Sequence, residues 1–542
     1  LFEVPREAAF GDLASTVALG LARPERKPPR AIAEVIVAHL EDPDRLLAGV
    51  EIAGPGYLNF RFSPHFWAAC LADVERADYG VPALGAGKRV LIEFVSANPT
   101  GPLHVGHGRG AVLGDAVARL LQAAGYDVTR EYYINDAGNQ IATLARSAYA
   151  RLLELSGATV DFPEDGYPGE YLRELMAAHA RELVIEIAAA TGQALPDQMS
   201  AADQVRLLCV SPDIARDICG RRAAGWLLEQ IKHDMRDLGV EFDVFVSERA
   251  LHAGGVVQAA LDALASAGHL YTADGATWFR STSFGDDKDR VVQRSGGELT
   301  YFGADIGYHR DKLRRGFEQL IDVWGADHHG YVGRVAAAIR ALGGDAATFH
   351  VLLVQLVRLT RGGEPVRMGK RSGEFVTLRE VIDEVGADAT RFFFLMRKGD
   401  SQLEFDLALA AKQSSENPVF YVQYANARIC RLFEEAEKAG VARPHAADAS
   451  LEVLVEPEEV EIVKLIAQFP DIFEDAAREL EPHRVVFYLI ELAGAFHRFY
   501  NRHRVLGSEP ARRDARLVLA SAVQRVLQRA LGVLGVRAPD RM

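Results

Sequence analysis

Two histidines flank a glycine in His104-Val-Gly-His107, just after an apolar run from Val90 to Val95 that Pro99, Gly101 and Pro102 break. Imidazoles at this spacing can each donate to phosphate oxygens, and Gly106 lets a flat ring lie against the backbone. A second group is Arg367-Met-Gly-Lys-Arg-Ser-Gly373, a glycine-bounded loop with three cations that follows another apolar run. Such a loop can fold over a polyphosphate and neutralise charge developing at a reacting phosphorus. A third is a set of carboxylates, Glu93, Asp127, Asp136, Asp305 and Asp327, each read as lying at or just beyond the carboxyl end of a strand. Ligands bind there in parallel sheets. Taken singly, each group has a plainer reading: carboxylates cap helices, histidines start them, and a basic loop is a solvated turn.

Positioning these groups takes a strand, a tight loop and a helix. Val112, Leu113, Ala116, Val117, Leu120 and Leu121 recur at helical spacing until Gly125. That unit presents an anion to a helix N-terminus, where free N–H groups and the dipole favour it. Tyr126 to Ile134 reads as a second strand, so the pattern opens a doubly wound parallel sheet. Residues 150–235 read as a mostly helical insertion. Val240, Phe242, Val244 and Val246 alternate as a strand, and a hairpin-like stretch surrounds Asp274-Gly275 and Asp286-Asp287. The second half of the sheet is expected over Leu299 to Ile306, Leu320 to Gly330 and Phe349 to Val357. Ahead of the sheet, helices are expected over Gly11 to Ala22 and Ala31 to Leu40, then a strand ending at Phe62. From about residue 410 the pattern is helical. The expected fold is multidomain α/β: a small α/β domain over 1–85, a Rossmann-like parallel-sheet domain over 86–400 with its helical insertion, and an all-α bundle over 401–542.

The bulk numbers agree with this division. A chain of 542 residues exceeds one core, and 49% apolar with 25% charged residues is ordinary for a soluble globular protein. No apolar stretch reaches membrane length, and Leu1-Phe-Glu-Val-Pro-Arg6 carries no signal-peptide pattern. Cys70, Cys209, Cys219 and Cys430 are scattered without a CxxC pair, which argues for a reducing compartment and against a structural zinc site. A cytoplasmic protein is expected. The net charge of −14 disfavours indiscriminate binding of nucleic acid but leaves a local basic face possible.

His104-Val-Gly-His107 resembles the HIGH signature of class I aminoacyl-tRNA synthetases, with Val105 in place of isoleucine. Glu93-Phe-Val-Ser-Ala-Asn98-Pro-Thr-Gly-Pro102 is similar to the arginyl-tRNA synthetase version. The Arg367–Gly373 loop resembles the KMSKR loop: Lys370 matches its second lysine, whereas Arg367 stands for the first lysine and Gly369 for serine. Gly11-Asp-Leu-Ala-Ser15 and Gly54-Pro-Gly-Tyr-Leu-Asn-Phe60 resemble the family's N-terminal domain, which contacts the tRNA elbow near the D-loop. Asn417 to Arg428, His497 to Arg504 and the terminal Ala538-Pro-Asp-Arg-Met542 resemble its anticodon-binding domain.

The resemblance implies activation of L-arginine by Mg²⁺-bound ATP, giving arginyl-adenylate and pyrophosphate. The arginyl group then passes to the 2′-OH of the terminal adenosine of tRNA(Arg), with tRNA already needed for the first step. Catalysis would fall to His104, His107 and Lys370, and ATP would be held by His104, Gly106, His107, Met368, Lys370 and Arg371. A guanidinium is planar and always charged, and carboxylates hold it best. The resemblance assigns arginine to Glu93, Ser96, Asn98, Asp305 and Asp327, with the Tyr301 ring stacked on the guanidinium. For tRNA it implies Tyr421, Tyr424, Arg428, Arg498, Tyr500 and Arg504. No structural zinc or other resident metal and no membrane are expected, and a monomer is the default. Two alternatives stand beside this reading. A class I synthetase for cysteine or glutamate shares both signature loops, although a cysteine enzyme would want a zinc cluster of Cys and His. A catalytically silent tRNA-binding paralogue is opposed by His104, His107 and Lys370 and favoured by Arg367 and Gly369.

Overall fold

The computed structural model describes residues 2–5, 7–195, 199–366 and 376–542. The basic loop with Met368, Lys370 and Arg371 therefore lies outside the described residues. The chain opens with β1 (Phe2–Glu3), β2 (Leu13–Ser15), β3 (Leu47–Ala53) and β4 (Tyr57–Phe62), an antiparallel sheet in the order β1-β2-β4-β3. Helices Val17–Glu25 and Pro29–Ala38 bury Ala18, Ile32 and Ala33 against Leu58. The helix expected from Gly11 starts only at Val17, because Leu13 to Ser15 pair with β4.

The central sheet is built from β5 (Arg89–Glu93), β6 (Asp127–Ile134) and β7 (Val244–Ser247). A three-stranded antiparallel sheet, β8 (Leu270–Ala273), β9 (Ala276–Phe279) and β10 (Arg290–Gln293), follows; then β11 (Gln319–Gly325) and β12 (Phe349–Val354) complete the centre. Its order is β12-β11-β5-β6-β7, and every pair is parallel. Val90, Leu91 and Ile92 of β5 have no exposure, as expected of a parallel strand covered on both faces. Strand order reverses at β5, so the ligand crevice opens at the carboxyl ends beside it. A small sheet of β13 (Val357–Arg361), β14 (Glu364–Pro365) and β15 (Leu403–Asp406) leads into the basic loop.

Two expected strands need correction. Leu299 to Ile306 does not extend the sheet: Tyr301–Arg314 is a helix, capped by the Thr300 hydroxyl accepting the Gly303 N–H at 3.2 Å. Its buried face mixes Phe302 and Ile306 with His309 and Lys312, and the polar members hide the helical period. Phe349 to Val357 is also not one strand. β12 ends at Val354, and Val357 belongs to the neighbouring small sheet.

The helix after β5, Val105–Ala123, is buried on nearly every side. Arg109, 1% exposed, donates to the carbonyls of Gln355 (2.8 Å), Ser401 (2.7 Å) and Lys398 (2.9 Å). Burial pulls its pKa down to about 10. Asp115 accepts from Arg119 Nε at 2.7 Å and from Arg391 Nη2 at 2.6 Å. Arg391 in turn donates from Nε to the Leu534 carbonyl (2.9 Å) and from Nη1 to the Leu238 carbonyl (3.2 Å).

The insertion consists of helices Gly138–Leu155, Glu170–Thr191, Ala201–Leu208 and Pro212–Asp237 around a core of its own that includes Leu144, Met176, Leu183 and Ile218. The C-terminal helices Pro418–Lys438, Pro457–Arg478, His483–Arg502 and Pro510–Val533 share one continuous core with the central sheet. Among the described residues no helix is long and apolar enough to cross a membrane.

Arg391→Met takes one of two guanidinium donors from the buried Asp115 carboxylate and removes the donor to the Leu534 and Leu238 carbonyls. We expect about 3–5 kcal/mol of destabilisation, read as a lowered unfolding midpoint in calorimetry of the full chain. An unchanged midpoint would contradict the anchoring role.

Candidate active site

β5 ends at Glu93, and the chain leaves it through Val95 and Ser96, both in the left-handed region with φ of 70° and 41°. For two residues with side chains this stores about 1–3 kcal/mol each, so neighbours must hold it. The Ser96 N–H donates to the Phe94 carbonyl at 3.0 Å, and the Ser96 hydroxyl donates to Glu93 Oε1 at 2.7 Å. The same hydroxyl accepts the Tyr133 N–H at 3.1 Å from the neighbouring strand. Further on, the Leu378 N–H donates to the Leu103 carbonyl at 2.7 Å, and Thr377 bridges to His104. The residues that follow the basic loop are therefore fastened to the start of the histidine helix.

His104 is the N-cap of that helix. Its Nδ1 accepts from the N–H groups of Gly106 (3.0 Å) and His107 (3.4 Å), while His107 Nδ1 accepts the His104 N–H at 3.4 Å. The rings stack with centroids 3.7 Å apart. With both Nδ1 atoms accepting, each neutral ring carries its proton on Nε2. The helix-start N–H groups of Gly106 and His107, expected to meet phosphate directly, are thus occupied by the protein's own ring. The flat ring lying against Gly106 is that of His104: a Cβ there would stand 2.9 Å from its Cε1 and 3.0 Å from its Nδ1.

At the end of β5 lies a buried ionic cluster. Lys312 Nζ donates to Glu93 Oε2 at 2.6 Å and to Asp322 Oδ1 at 2.8 Å. Asp322 Oδ2 also receives His309 Nε2 at 3.1 Å. Burial raises the Glu93 pKa despite the ammonium. Burial alone would lower Lys312, but Asp322, Glu93 and Glu131 reverse this and its pKa is raised. Glu131 is held by the Tyr308 hydroxyl at 2.5 Å and by Arg315.

A second pair of acids makes no ion pair with a lysine or arginine among the described residues, although Lys312 and His309 still act on Asp305 at longer range. Asp305, half-buried and one turn from Tyr301, accepts the Tyr331 hydroxyl on Oδ2. Glu248, buried at the end of β7, has His252 Nε2 at 3.6 Å and shares a hydrogen bond with the Tyr133 hydroxyl. Burial raises both carboxyl pKa values; Asp305 raises Glu248 further. Tyr301, 60% exposed, presents an accessible ring. The remaining carboxylates divide. Asp127 is the first residue of β6, at the amino end of the sheet and away from the crevice; it faces Arg89 at 3.9 Å. Asp136 accepts the Ser247 hydroxyl (2.7 Å) and the Arg249 N–H (3.0 Å), a cap on the turn after β7. Asp327 is exposed beyond β11, 3.7 Å from His328, and Asn98 donates to Gln140.

The comparisons with known proteins come down on one family. Residues 71–156 and 207–403 match the catalytic domain of class I (R) tRNA synthetases, residues 1–62 the arginyl-tRNA synthetase N-terminal domain, and residues 422–542 the DALR anticodon-binding domain. The chain belongs to the arginyl-tRNA synthetase family. It is 49% identical over 543 residues to the arginine–tRNA ligase of Citrifermentans bemidjiense, covering 100% of this chain and 94% of that one. It is 50% identical over 544 residues to that of Desulfosudis oleivorans, with the same coverage. The arginyl-tRNA synthetase structure from Thermus thermophilus superimposes with a TM-score of 0.75 at 25% identity, covering 100% of this chain and 96% of that one. This arginyl-tRNA synthetase is a class I enzyme that attaches arginine to tRNA, and the family uses ATP. The alternatives of another class I specificity and of a silent paralogue fall.

In the DALR region the synthetase brings Tyr421, Tyr424 and Arg428 of helix Pro418–Lys438 against His497 and Tyr500 of helix His483–Arg502. The Arg428 guanidinium lies 4.5 Å from the Tyr424 ring and 5.3 Å from the Tyr500 ring, and His497 lies 4.4 Å from Tyr421. Arg498 pairs with Glu461 at 2.6 Å, and Arg504 is exposed past the helix end. Reading the sequence missed Lys312, Asp322, Glu131, Glu248, Tyr133 and Tyr331. Asp322 and Glu131 did leave a signal: a carboxylate inside an apolar parallel strand demands a partner.

Gly106→Ala should displace the His104 ring and lower the rate of ATP–pyrophosphate exchange by about 10²-fold, with little change in the unfolding midpoint. Unaltered exchange would show that the ring can shift at no cost.

Proposed function

We propose that the guanidinium of arginine sits between Asp305 and Glu248, with the Tyr301 ring stacked on it. The observation that carries this is the contrast between two acid pairs. Glu93 and Asp322 are in direct contact with the Lys312 ammonium, whereas Asp305 and Glu248 make no ion pair with a lysine or arginine among the described residues; burial raises both, and Asp305 raises Glu248 further. A planar cation relieves both at once. Ser96, Asn98 and Asp327 line the approach for the rest of the amino acid, and Glu93 acts by holding the turn. A neutral or shorter side chain leaves buried carboxylates unpaired, which makes rejection steep without editing.

The arginine carboxylate attacks the α-phosphorus of MgATP, and pyrophosphate leaves. His104 and His107 donate from Nε2 to the crowded phosphoryl oxygens, with Gly106 giving the rings room. Lys370, Met368 and Arg371 supply further contacts to the nucleotide, whose phosphates bring the magnesium. The 2′-OH of the terminal adenosine of tRNA(Arg) then takes the arginyl group. In this reading residues 1–85 contact the tRNA elbow. A cavity of about 400 Å³ lined there by Phe10, Tyr57 and Asn59 suits a splayed base, which aromatic and amide side chains recognise. Residues 86–400 carry the chemistry. Residues 401–542 read the anticodon arm through Tyr421, Tyr424, Arg428, Arg498, Tyr500 and Arg504. The enzyme acts as a cytoplasmic monomer and needs tRNA for the first step.

ATP–pyrophosphate exchange with each amino acid, with and without total tRNA, tests this reading. Exchange with arginine alone, and only with tRNA, is expected; exchange with another amino acid would overturn the pocket. Asp305→Asn should raise the KM for arginine roughly 10- to 100-fold and leave that for ATP unchanged. The sign with pH follows from the raised carboxyl: the charged form binds the guanidinium, so KM for arginine rises as pH falls. It begins to do so above the range of an ordinary aspartate. Asp305→Asn should lose that part of the profile.

A further inference from the structure

Lys312 does not touch the crevice, and its side chain has no exposure. A buried ammonium is costly unless close carboxylates repay it, so its position calls for a reason. Lys312 stands on the helix of Asp305, seven residues on and therefore on the same face. Its ammonium meets Glu93 at 2.6 Å and Asp322 at 2.8 Å and lies 4.3 Å from the Tyr308 ring centroid. Through Glu93 it reaches the Ser96 hydroxyl at 2.7 Å and, beyond that, the Tyr133 N–H at 3.1 Å. One ammonium thus begins a chain of hydrogen bonds that ends in the left-handed turn before the histidines. That chain also reaches the strand end that carries Tyr133 toward Glu248. Without Lys312, Glu93 and Asp322 would form a second acidic hole, deeper and drier than the one at Asp305, for the substrate's cation to enter.

We propose that Lys312 is a positioning residue for arginine: its ammonium fills the acidic hole between Glu93 and Asp322, fixes the Ser96 turn, and leaves Asp305 and Glu248 to the substrate's guanidinium. The inference rests on the reading of Asp305 and Glu248 as the guanidinium pocket. A cation of the protein's own thereby decides where the substrate's cation goes.

The test is arginine-dependent ATP–pyrophosphate exchange by the full-length enzyme with saturating tRNA. Lys312→Ala removes three methylenes and the ammonium, which n-propylammonium replaces. We expect the KM for arginine to rise about tenfold or more, the KM for ATP to change less than about threefold, and added n-propylammonium to reverse the rise. Propanol and tetramethylammonium should not reverse it. A KM for arginine that stays at the wild-type value, or a rise that n-propylammonium leaves untouched, overturns the proposal. If Lys312→Ala does not fold, Lys312→Met with Asp322→Asn, which conserves the net charge of the cluster, takes its place: a tenfold rise in the arginine KM supports the proposal and an unchanged one overturns it. Asp305→Asn separates the two readings. If it leaves the arginine KM unaltered, the pocket itself is wrong; if it raises that KM while the Lys312 variants do not, only the inference about Lys312 fails.

Discussion

The helix that carries His104 and His107 is held in place by charges that water does not reach, and the rest of the structure is arranged around that constraint. Asp115 and Arg391 are each 1% exposed and 2.6 Å apart. A pair so placed stabilises only if the remaining donors are satisfied. Here they are: Arg391 turns to the carbonyls of Leu534 and Leu238, Arg119 donates to the same Asp115 Oδ2, and Arg130 Nε lies 3.5 Å from Oδ1. Leu534 follows the last helix of the anticodon-binding region, and Leu238 follows the last helix of the insertion. One guanidinium therefore fixes the catalytic helix against both of the chain's helical parts. Arg109 does the same toward β12 and β15 using carbonyls alone. The C-terminal helices share one continuous core with the histidine helix.

The same economy of buried charge organises the crevice. Two acids in contact with an internal ammonium and two acids without such a contact lie on neighbouring elements, and the second pair is the one we propose for the guanidinium. Burial raises the carboxyl pKa values of Asp305 and Glu248, as the proposed role of the pair in meeting a cation requires. The net charge of −14 has no part in this. What matters is which carboxylates are compensated inside.

Much of this was legible in the sequence, for reasons that differ from residue to residue. The strand, loop and helix around His104 could be read because a fully buried parallel strand and a helix with buried faces leave strong patterns. Tyr301 and Asp305 could be paired although their element was mistaken. A spacing of four puts two residues on one side of a strand, where the period is two, and on one side of a helix, where it is 3.6. Lys312 could not be read. A lysine among Arg310, Asp311 and Arg314 looks like a solvated helix face, and its partner Glu93 lies 219 residues away. Glu248 was hidden in the same way, as an acid in the first turn of a short helix, where a dipole contact is the ordinary explanation. Asp127 failed for a simpler reason: a turn residue before a strand and one after it look alike until the strand's direction is fixed.

The histidine helix shows why a cap and a catalytic group need not be rival readings. An imidazole has two nitrogens with opposite roles, and the helix start uses only one. With Nδ1 of His104 accepting the N–H groups of Gly106 and His107, those donors can no longer meet a phosphate. The favourable end of the helix dipole is felt instead through the rings, one ring-width farther out. The capping bonds also fix the tautomer and the ring planes, so the two Nε2–H donors are oriented before the nucleotide binds, when reorganisation would otherwise cost most. A serine cap would satisfy the same N–H groups but carry no second donor at that distance. On the role proposed for His104, the requirement to cap the backbone and the requirement to stabilise a crowded phosphorus select the same side chain, and Gly106 is the residue that makes room for it.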